Sequence, residues 1–143
     1  ESQECAMVSP PMFDEFYLKY IAEVANMFGM AYYGCCEEVG DRFIQIKNAI
    51  PNLRTVSVSG WNDFEKVAEM IGKDYVYCRK PTPAHMSNAG DWELMEKDLS
   101  VTYEATKKHG CSTELIVRDV YDVGGDMKRL PQWVELAKKT FGI

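Results

Sequence analysis

The sequence lacks any long apolar run, and no stretch approaches the roughly 18 apolar residues that a membrane-spanning helix needs. It shows no signal peptide and no low-complexity tract. Basic residues are in the minority, with 16 Lys and Arg against 22 Asp and Glu. The resulting net charge of −6 argues against a surface that binds nucleic-acid phosphates. These absences predict a protein without membrane or nucleic-acid partners.

The five cysteines are an odd number and lack the spacing of a small disulfide-bonded scaffold. We therefore expect reduced thiols and a cytoplasmic location. The sequence starts at Glu1 and not at an initiator Met, which predicts a processed or trimmed piece. With 46% apolar residues, the 143 residues can form a real core. We expect a single domain over 1–143, or part of a larger one.

Helix and strand patterns alternate along the chain. Strands are predicted at 30–35, 53–59, 74–78 and 112–117, and a helical pattern follows each of them, with Asn62 and Asp91 as expected N-caps. An earlier helix is predicted from Ser9-Pro10 to Gly29. Its apolar residues recur at three- and four-residue spacing and predict a buried stripe: Met12, Phe13, Phe16, Tyr17, Tyr20, Val24 and Phe28.

This alternation favours the α/β class, with a parallel sheet and right-handed crossovers. One helix followed by four parallel strand–helix units makes up half of a (β/α)8 TIM-type barrel. An open α/β sheet is the alternative, although no glycine-rich phosphate loop supports a nucleotide-binding version.

Adjacent thiols and carboxylates follow the first predicted strand, in the run Cys35-Cys36-Glu37-Glu38. Ligands and catalytic groups collect at the carboxyl ends of parallel strands, and soft sulfurs beside hard oxygens suit metal binding or thiolate chemistry. Neighbouring side chains of a strand alternate between faces, so both thiols can serve one site only if the chain bends at Gly34 or beyond. The alternative is that the cysteines are small core residues and the glutamates are solvated.

Further candidates lie near the other strand ends. Lys80, followed by a proline-rich loop, is a candidate anchor for an anion or carboxylate, and otherwise a solvated lysine. Trp61 could wall a planar ligand or simply pack a loop. His85 lies in a loop near the expected mouth and is a candidate ligand-binding residue. Glu4 is expected at the same mouth.

Asp119 follows the last apolar strand and could act as a general acid or base if it is desolvated. The alternative is an ion pair with Arg118 or Lys80. Glu37 is the second candidate catalytic carboxylate. The three remaining cysteines are expected to pack in the core: Cys5, Cys78 and Cys111.

Several short motifs resemble the family of uroporphyrinogen decarboxylase-like barrels. The similarity extends over essentially the whole chain and is carried by Ser2-Gln3-Glu4, Ser9-Pro10 with Met12-Phe13, Phe28-Gly29, Tyr33-Gly34-Cys35-Cys36-Glu37, Ile50-Pro51-Asn52-Leu53-Arg54, Val56-Ser57-Val58-Ser59 with Trp61, Lys80-Pro81-Thr82-Pro83-Ala84, and Arg129-Leu130 with Trp133. These motifs look like the C-terminal half of a longer member.

The resemblance implies an enzyme half. The Tyr-Gly-Cys-Cys-Glu form looks closest to a branch associated with methyl transfer from a small methylated substrate to the corrinoid (cobalamin) of a partner protein, with zinc as the implied metal. Cys35, Cys36 and Glu38 are then the candidate metal ligands. Uroporphyrinogen-type decarboxylation is the alternative reaction, and a non-catalytic half-barrel that serves as a structural or binding module is the alternative role.

Two departures from the family pattern bear on these expectations. The methyltransferases usually carry a His-x-Cys pair on this strand, but Tyr33 stands at the histidine position, so only Cys35 carries over. Cys36, Glu37 or Glu38 would have to complete the site. The arginine and aspartate site of the decarboxylase lies in the half that the resemblance leaves missing. The mouth of a barrel draws on all eight strand ends, so we expect little or no activity from this chain alone. A half-barrel also leaves two long sheet edges and an uncovered interior, so we expect a homodimer or pairing with an N-terminal half.

Overall fold

The computed structural model describes residues 3–87, 91–118 and 120–143. The chain begins with a short 3-10 turn, Gln3–Cys5, and a longer helix in three parts. These parts are α1 (Pro10–Phe13), a π-helical stretch (Asp14–Leu18) and α2 (Lys19–Ala25). No helix within the described ranges is long and apolar enough to cross a membrane.

Four parallel strands form the sheet: β1 (Ala31–Tyr33), β2 (Leu53–Val58), β3 (Val76–Arg79) and β4 (Ser112–Leu115). Each strand pairs with the one that follows it in the chain, so the order is β1-β2-β3-β4. The connecting helices are α3 (Phe43–Ala49), α4 (Phe64–Ile71) and α5 (Trp92–His109), and α6 (Arg129–Phe141) follows β4. The expected α/β class with a parallel sheet is confirmed, and all four strand ends lie along one edge of the sheet.

The two faces of the sheet have different surroundings. One face joins the side chains of the helices in the main hydrophobic core, and its members include Tyr33, Val56, Val58 and Tyr77. On the other face the strand register places Ser57 beside Cys78 and Cys78 beside Glu114. Cys78 is fully buried but belongs to neither of the two hydrophobic clusters, which marks this second face as a polar environment.

The buried stripe predicted for the first helix is wrong at most positions. Phe16, Tyr20 and Val24 are more than half exposed, whereas the buried residues are Phe13, Leu18 and Ala22. The π-helical stretch explains this difference, because it inserts one residue into the helical repeat and rotates the inward face. Phe13 and Leu18 are accordingly five residues apart.

One expected N-cap is confirmed and the other is wrong. Asp91 accepts a hydrogen bond from the backbone N–H of Leu94 at 3.1 Å and caps α5. Helix α4 is capped by Asp63, which accepts from the backbone N–H of Lys66 at 3.0 Å. Asn62 therefore has its amide available for a different role, in the loop after β1.

A buried ion pair joins β3 to α5. Arg79 is fully buried, and its guanidinium donates to the carboxylate of Asp98. The same group donates to the backbone oxygens of Val58, at 3.0 Å, and Lys80, and it lies 4.3 Å above the ring of Phe64. One guanidinium thus connects two strands with two helices just before the carboxyl end of β3.

Candidate functional site

The chain turns sharply where β1 ends. Gly34 has a φ of +96°, which is in the region that L side chains rarely adopt. A Cβ at this position would lie 3.2 Å from the Cβ of Ser57 on the neighbouring strand. Gly34 therefore serves both as a bend and as a point of close approach, and the two thiols follow it directly.

The bend brings both sulfurs to one place. The Sγ atoms of Cys35 and Cys36 are 3.4 Å apart, and both residues are partly exposed. The side-chain amide of Gln3 donates to the sulfur of Cys35 at 3.6 Å. The guanidinium of Arg118, which follows β4 on the other side of the sheet, donates to the sulfur of Cys36. The thiols thus form a pair between an amide and a positive charge.

Side chains at the end of β2 fix the backbone of the thiol loop. Ser57 donates to the carbonyl of Cys35 at 2.9 Å, and Ser59 donates to the carbonyl of Glu37 at 3.1 Å. The amide of Asn62 donates to that second carbonyl at 3.3 Å and accepts from the backbone N–H of Val39 at 2.9 Å. Since these partners are themselves buried, the loop is held in one conformation.

The two glutamates have different surroundings. Glu37 is 4% exposed, and its Oε2 accepts from the backbone N–H of Cys35 at 3.0 Å. Its Oε1 is buried and has no hydrogen-bond partner. The carboxylate of Glu38 accepts from the backbone N–H groups of Gly40, at 2.6 Å, and Asp41, at 3.4 Å. Glu38 therefore satisfies the start of the next helical turn, whereas Glu37 stays beside the thiols.

A cleft lies in front of this loop. Its volume is about 560 Å³, and it is lined by Gln3, Ala6, Met7, Cys36, Glu37, Glu38 and Trp61. Trp61 is 78% exposed, so one face of its indole is available to a ligand. The cleft gives the sulfur of Cys36 access to a small molecule.

Buried Arg42 holds the opposite wall of the cleft. Its guanidinium donates to the backbone oxygens of Cys5, at 2.6 Å, Ala6, at 3.4 Å, and Val8, at 2.5 Å, and packs 4.9 Å from the ring of Phe13. These bonds fasten the 3–8 segment onto the start of α3. That segment carries Gln3, so Arg42 acts on the thiol pair through the segment.

The donor atoms satisfy only part of a zinc site. Two thiolates on one tetrahedral zinc ion lie roughly 3.7 Å apart, close to the observed separation. The unpartnered oxygen of Glu37 is the nearest carboxylate group in sequence. Within the described ranges, however, no group of three or more His, Cys, Asp or Glu side chains is arranged to hold a metal. This described part of the chain thus offers two sulfur ligands and not a complete set.

A second polar group lies on the sheet face opposite the main core. The hydroxyl of Tyr32 donates to the sulfur of Cys78 at 3.4 Å, and the ammonium of Lys80 lies 5.2 Å from the Tyr32 ring centroid. Burial raises the pKa of Tyr32, and burial likewise raises the pKa of Cys78 to about 11. Burial opposes the charge of Lys80, but its hydrogen bond to Tyr32 and the charges of Tyr32, Cys35 and Cys78 outweigh that effect and raise its pKa. The charges of Tyr32 and Cys78 form only at alkaline pH, so near neutral pH Lys80 is a cation and these two groups are neutral.

The remaining sequence candidates are more scattered. Glu4 is exposed on the first 3-10 turn, next to Gln3. His85 lies half-buried in the 3-10 turn Pro83–Met86, and its Nδ1 has no hydrogen-bond partner. Asp119 lies outside the described residues. The structure brings together Cys35, Cys36, Glu37 and Trp61.

Sequence reasoning missed the polar residues that support this site. The sequence indicates Arg118 only as a partner for Asp119, and it indicates no role in the site for the side chains of Arg42 and Gln3. Each is more than 30 residues from the atom it contacts, and no local pattern marks them. The buried carbonyls around Arg42 become visible only in three dimensions.

No family model matches the chain, and neither a curated protein nor a solved structure matches it significantly.

Proposed function

We propose that this chain is the C-terminal half of a (β/α)8 barrel of the uroporphyrinogen decarboxylase-like family. Two features support the proposal. The strands follow one another in sequential parallel order with a helix after each, which is the arrangement along the wall of such a barrel. The sequence motifs that resemble the family also include the loop that carries the thiol pair.

The proposed activity is metal-assisted methyl transfer from a small methylated substrate to the corrinoid of a partner protein. The observation that carries it is the pair of sulfurs 3.4 Å apart at the carboxyl end of β1, beside the cleft of about 560 Å³. Cys35 and Cys36 would hold zinc, with the remaining ligands supplied from outside the described residues. When bound, zinc supplies Lewis-acid activation of the substrate atom that carries the methyl group.

The other residues have supporting roles. Gln3 and Arg118 orient the two sulfurs, and the exposed indole of Trp61 covers the substrate. Tyr33 is 3% exposed and packs in the main core, so it does not substitute for the family's histidine. Glu37 is the better candidate than Glu38 for proton transfer, because Glu38 is engaged by two backbone N–H groups.

Zinc analysis is the first test. Protein purified without chelators is analysed for metal as the wild type, Cys35→Ala and Cys36→Ala, with Cys111→Ala as the matched control. Cys111 donates to the Ala68 carbonyl, away from the cleft. We expect bound zinc to be lost in both site variants and kept in the control. Equal zinc in all four proteins, or none in any, would contradict the metal role.

Methyl transfer to free cob(I)alamin tests the reaction itself. A barrel mouth draws on all eight strand ends, so we expect little activity from this chain alone and measurable transfer once an N-terminal half completes the barrel. Transfer that survives both cysteine substitutions would exclude the thiols from the mechanism.

A structural role remains the second candidate, because a large apolar groove lies next to β1. It has a volume of about 540 Å³ and is lined by residues of α2, of β1 and of the turn between them, including Tyr20, Val24, Phe28 and Met30. These side chains are 58 to 73% exposed. Apolar surface beside a strand edge favours association, so we propose a homodimer or pairing with the missing half. Light scattering at micromolar concentration that shows a monomer would contradict this.

A further inference from the structure

Lys80 carries a positive charge just beyond the carboxyl end of β3. The Lys80 side chain is partly buried, and within the described ranges no carboxylate forms an ion pair with it. Its neighbours are the Tyr32 ring and hydroxyl and the thiols of Cys78 and Cys35. A half-buried ammonium beside the neutral groups of Tyr32 and Cys78 is a natural site for an anion, since the ligand then supplies the missing charge.

The hydroxyl groups nearby complete the polar surface. Tyr32 is 46% exposed, and its hydroxyl is placed between Cys78 and Lys80. Ser57 lies on the same sheet face and interacts with that phenol. Glu114 on β4 lies beside Cys78 and interacts with its thiol. When a carboxylate binds, the phenol proton turns from the sulfur of Cys78 to the ligand, so the arrangement offers one ammonium and one phenolic O–H, which suits the single charge of a carboxylate.

We propose that Lys80 and Tyr32 form a binding site for a small monocarboxylate whose other end reaches the thiol of Cys35. The Cys35 thiol is close enough to Lys80 for their charges to interact, and Ser57 connects the two regions through its bond to the Cys35 carbonyl. This inference rests on the proposed function in one respect: it names the substrate class, a methylated compound that carries a carboxylate. The binding site itself requires neither metal nor corrinoid.

Alkylation of Cys35 tests the site in the full chain, freed of metal by a chelator. Iodoacetate and iodoacetamide react in the same way: the sulfur of the thiolate forms a bond to carbon, the carbon–iodine bond breaks, and iodide leaves. Only iodoacetate carries a carboxylate. The rate ratio of the two reagents at Cys35, measured by peptide mass spectrometry at one pH, cancels the intrinsic reactivity of the thiol.

We expect Lys80→Met to lower this ratio about tenfold and Tyr32→Phe about threefold, as for a charged and a neutral hydrogen bond. Lys66→Met is the matched control, because Lys66 is an exposed lysine paired with Asp41, and it should leave the ratio unchanged. A ratio that is unchanged in Lys80→Met, or lowered equally in Lys66→Met, overturns the proposal. Tyr32→Phe keeps the ring beneath Lys80, so it tests the site even if Lys80→Met fails to fold.

Protection identifies the anion. Propionate should slow the labelling of Cys35 by iodoacetamide in the wild type, whereas propionamide should not. Inorganic phosphate that protects better than propionate would overturn the assignment to a carboxylate. Equal zinc in all four proteins, or none in any, contradicts only the proposed function, whereas unchanged rate ratios contradict only the site at Lys80 and Tyr32. The two failures are therefore distinguishable.

Discussion

Removing the carboxylate of Asp98 should be among the most destabilising single changes in this protein. Arg79 is fully buried and Asp98 is 12% exposed, so Asp98→Ala leaves a guanidinium in the core without its counter-charge. Two backbone carbonyls and the Phe64 ring remain as partners, but they bear no full negative charge. Breaking a buried ion pair in this way costs about 3–5 kcal/mol.

Such a loss is a large share of the roughly 5–15 kcal/mol by which a domain is stable. With a urea dependence of about 2 kcal/mol per molar, the unfolding midpoint should fall by roughly 2 M. Asp98→Asn keeps an oxygen acceptor and should fall between the wild type and Asp98→Ala. Replacing both partners by apolar residues, Arg79→Met with Asp98→Leu, should recover most of the loss, because no charge is then left in the core.

Urea unfolding followed by circular dichroism measures these midpoints. Asp41→Ala, which breaks the exposed pair with Lys66, is the control and should shift the midpoint only slightly. If Asp98→Ala shifts it no more than the control does, the guanidinium is solvated and the reasoning fails. If the double substitution is as unstable as Asp98→Ala, packing and not uncompensated charge is the cause.

Three further predictions concern the loop and the opposite sheet face. Asn62→Ala removes the amide that bonds two buried backbone groups and should lower the free energy of unfolding in urea by about 1–3 kcal/mol. An unchanged midpoint would show that the loop after β1 keeps its conformation without Asn62. Arg42→Met should release the 3–8 segment, measured as faster amide hydrogen exchange in that segment and faster alkylation of Cys36. Unchanged exchange would show that the hydrogen bonds of Arg42 do not hold the segment in place. Burial raises the pKa of Cys78 from 9.0 to about 11, so the unfolded chain loses this proton at a lower pH than the folded protein does. The stability that the buried neutral thiol contributes is therefore fully present below pH 9 and is lost as the pH rises through 11. Cys78→Ala should flatten that alkaline decline, and a decline of unchanged steepness would assign it to other groups.

Strand positions could be predicted well because local patterns determine them. Leu53–Val58 alternates β-branched and polar residues and lies between a proline and a glycine, and the structure places β2 there. The Asp91 cap was also predictable, since its acceptor and donor lie three residues apart. Interactions of this kind lie within one turn or one strand, so the sequence alone displays them.

The first helix shows the limit of that reasoning. Its apolar period correctly predicted a helix, but a regular period assumes 3.6 residues per turn throughout. The π-helical stretch adds one residue, which moves Leu18 inward and turns Phe16 toward solvent. Nothing in the local residue types marks that extra residue, because packing against the rest of the core decides it.

The candidate site was predictable in part for the same reason. Cys35 and Cys36 stand at the end of a recognisable strand, and Gly34, directly before them, offers the backbone freedom for a bend. The partner of Cys36, in contrast, is 82 residues away. Long side chains such as Arg118 can reach many places, and only the folded sheet selects one of them.

The sequential strand order has a consequence for how the molecule could be enlarged. Each described strand pairs with the strand that follows it in the chain, so no connection between them crosses over another strand. A further strand–helix unit could be added at β1 or at β4 without rethreading any part of the present fold. Strand–helix units could therefore be added at either edge of the sheet while the loop of Cys35 and Cys36 keeps its position.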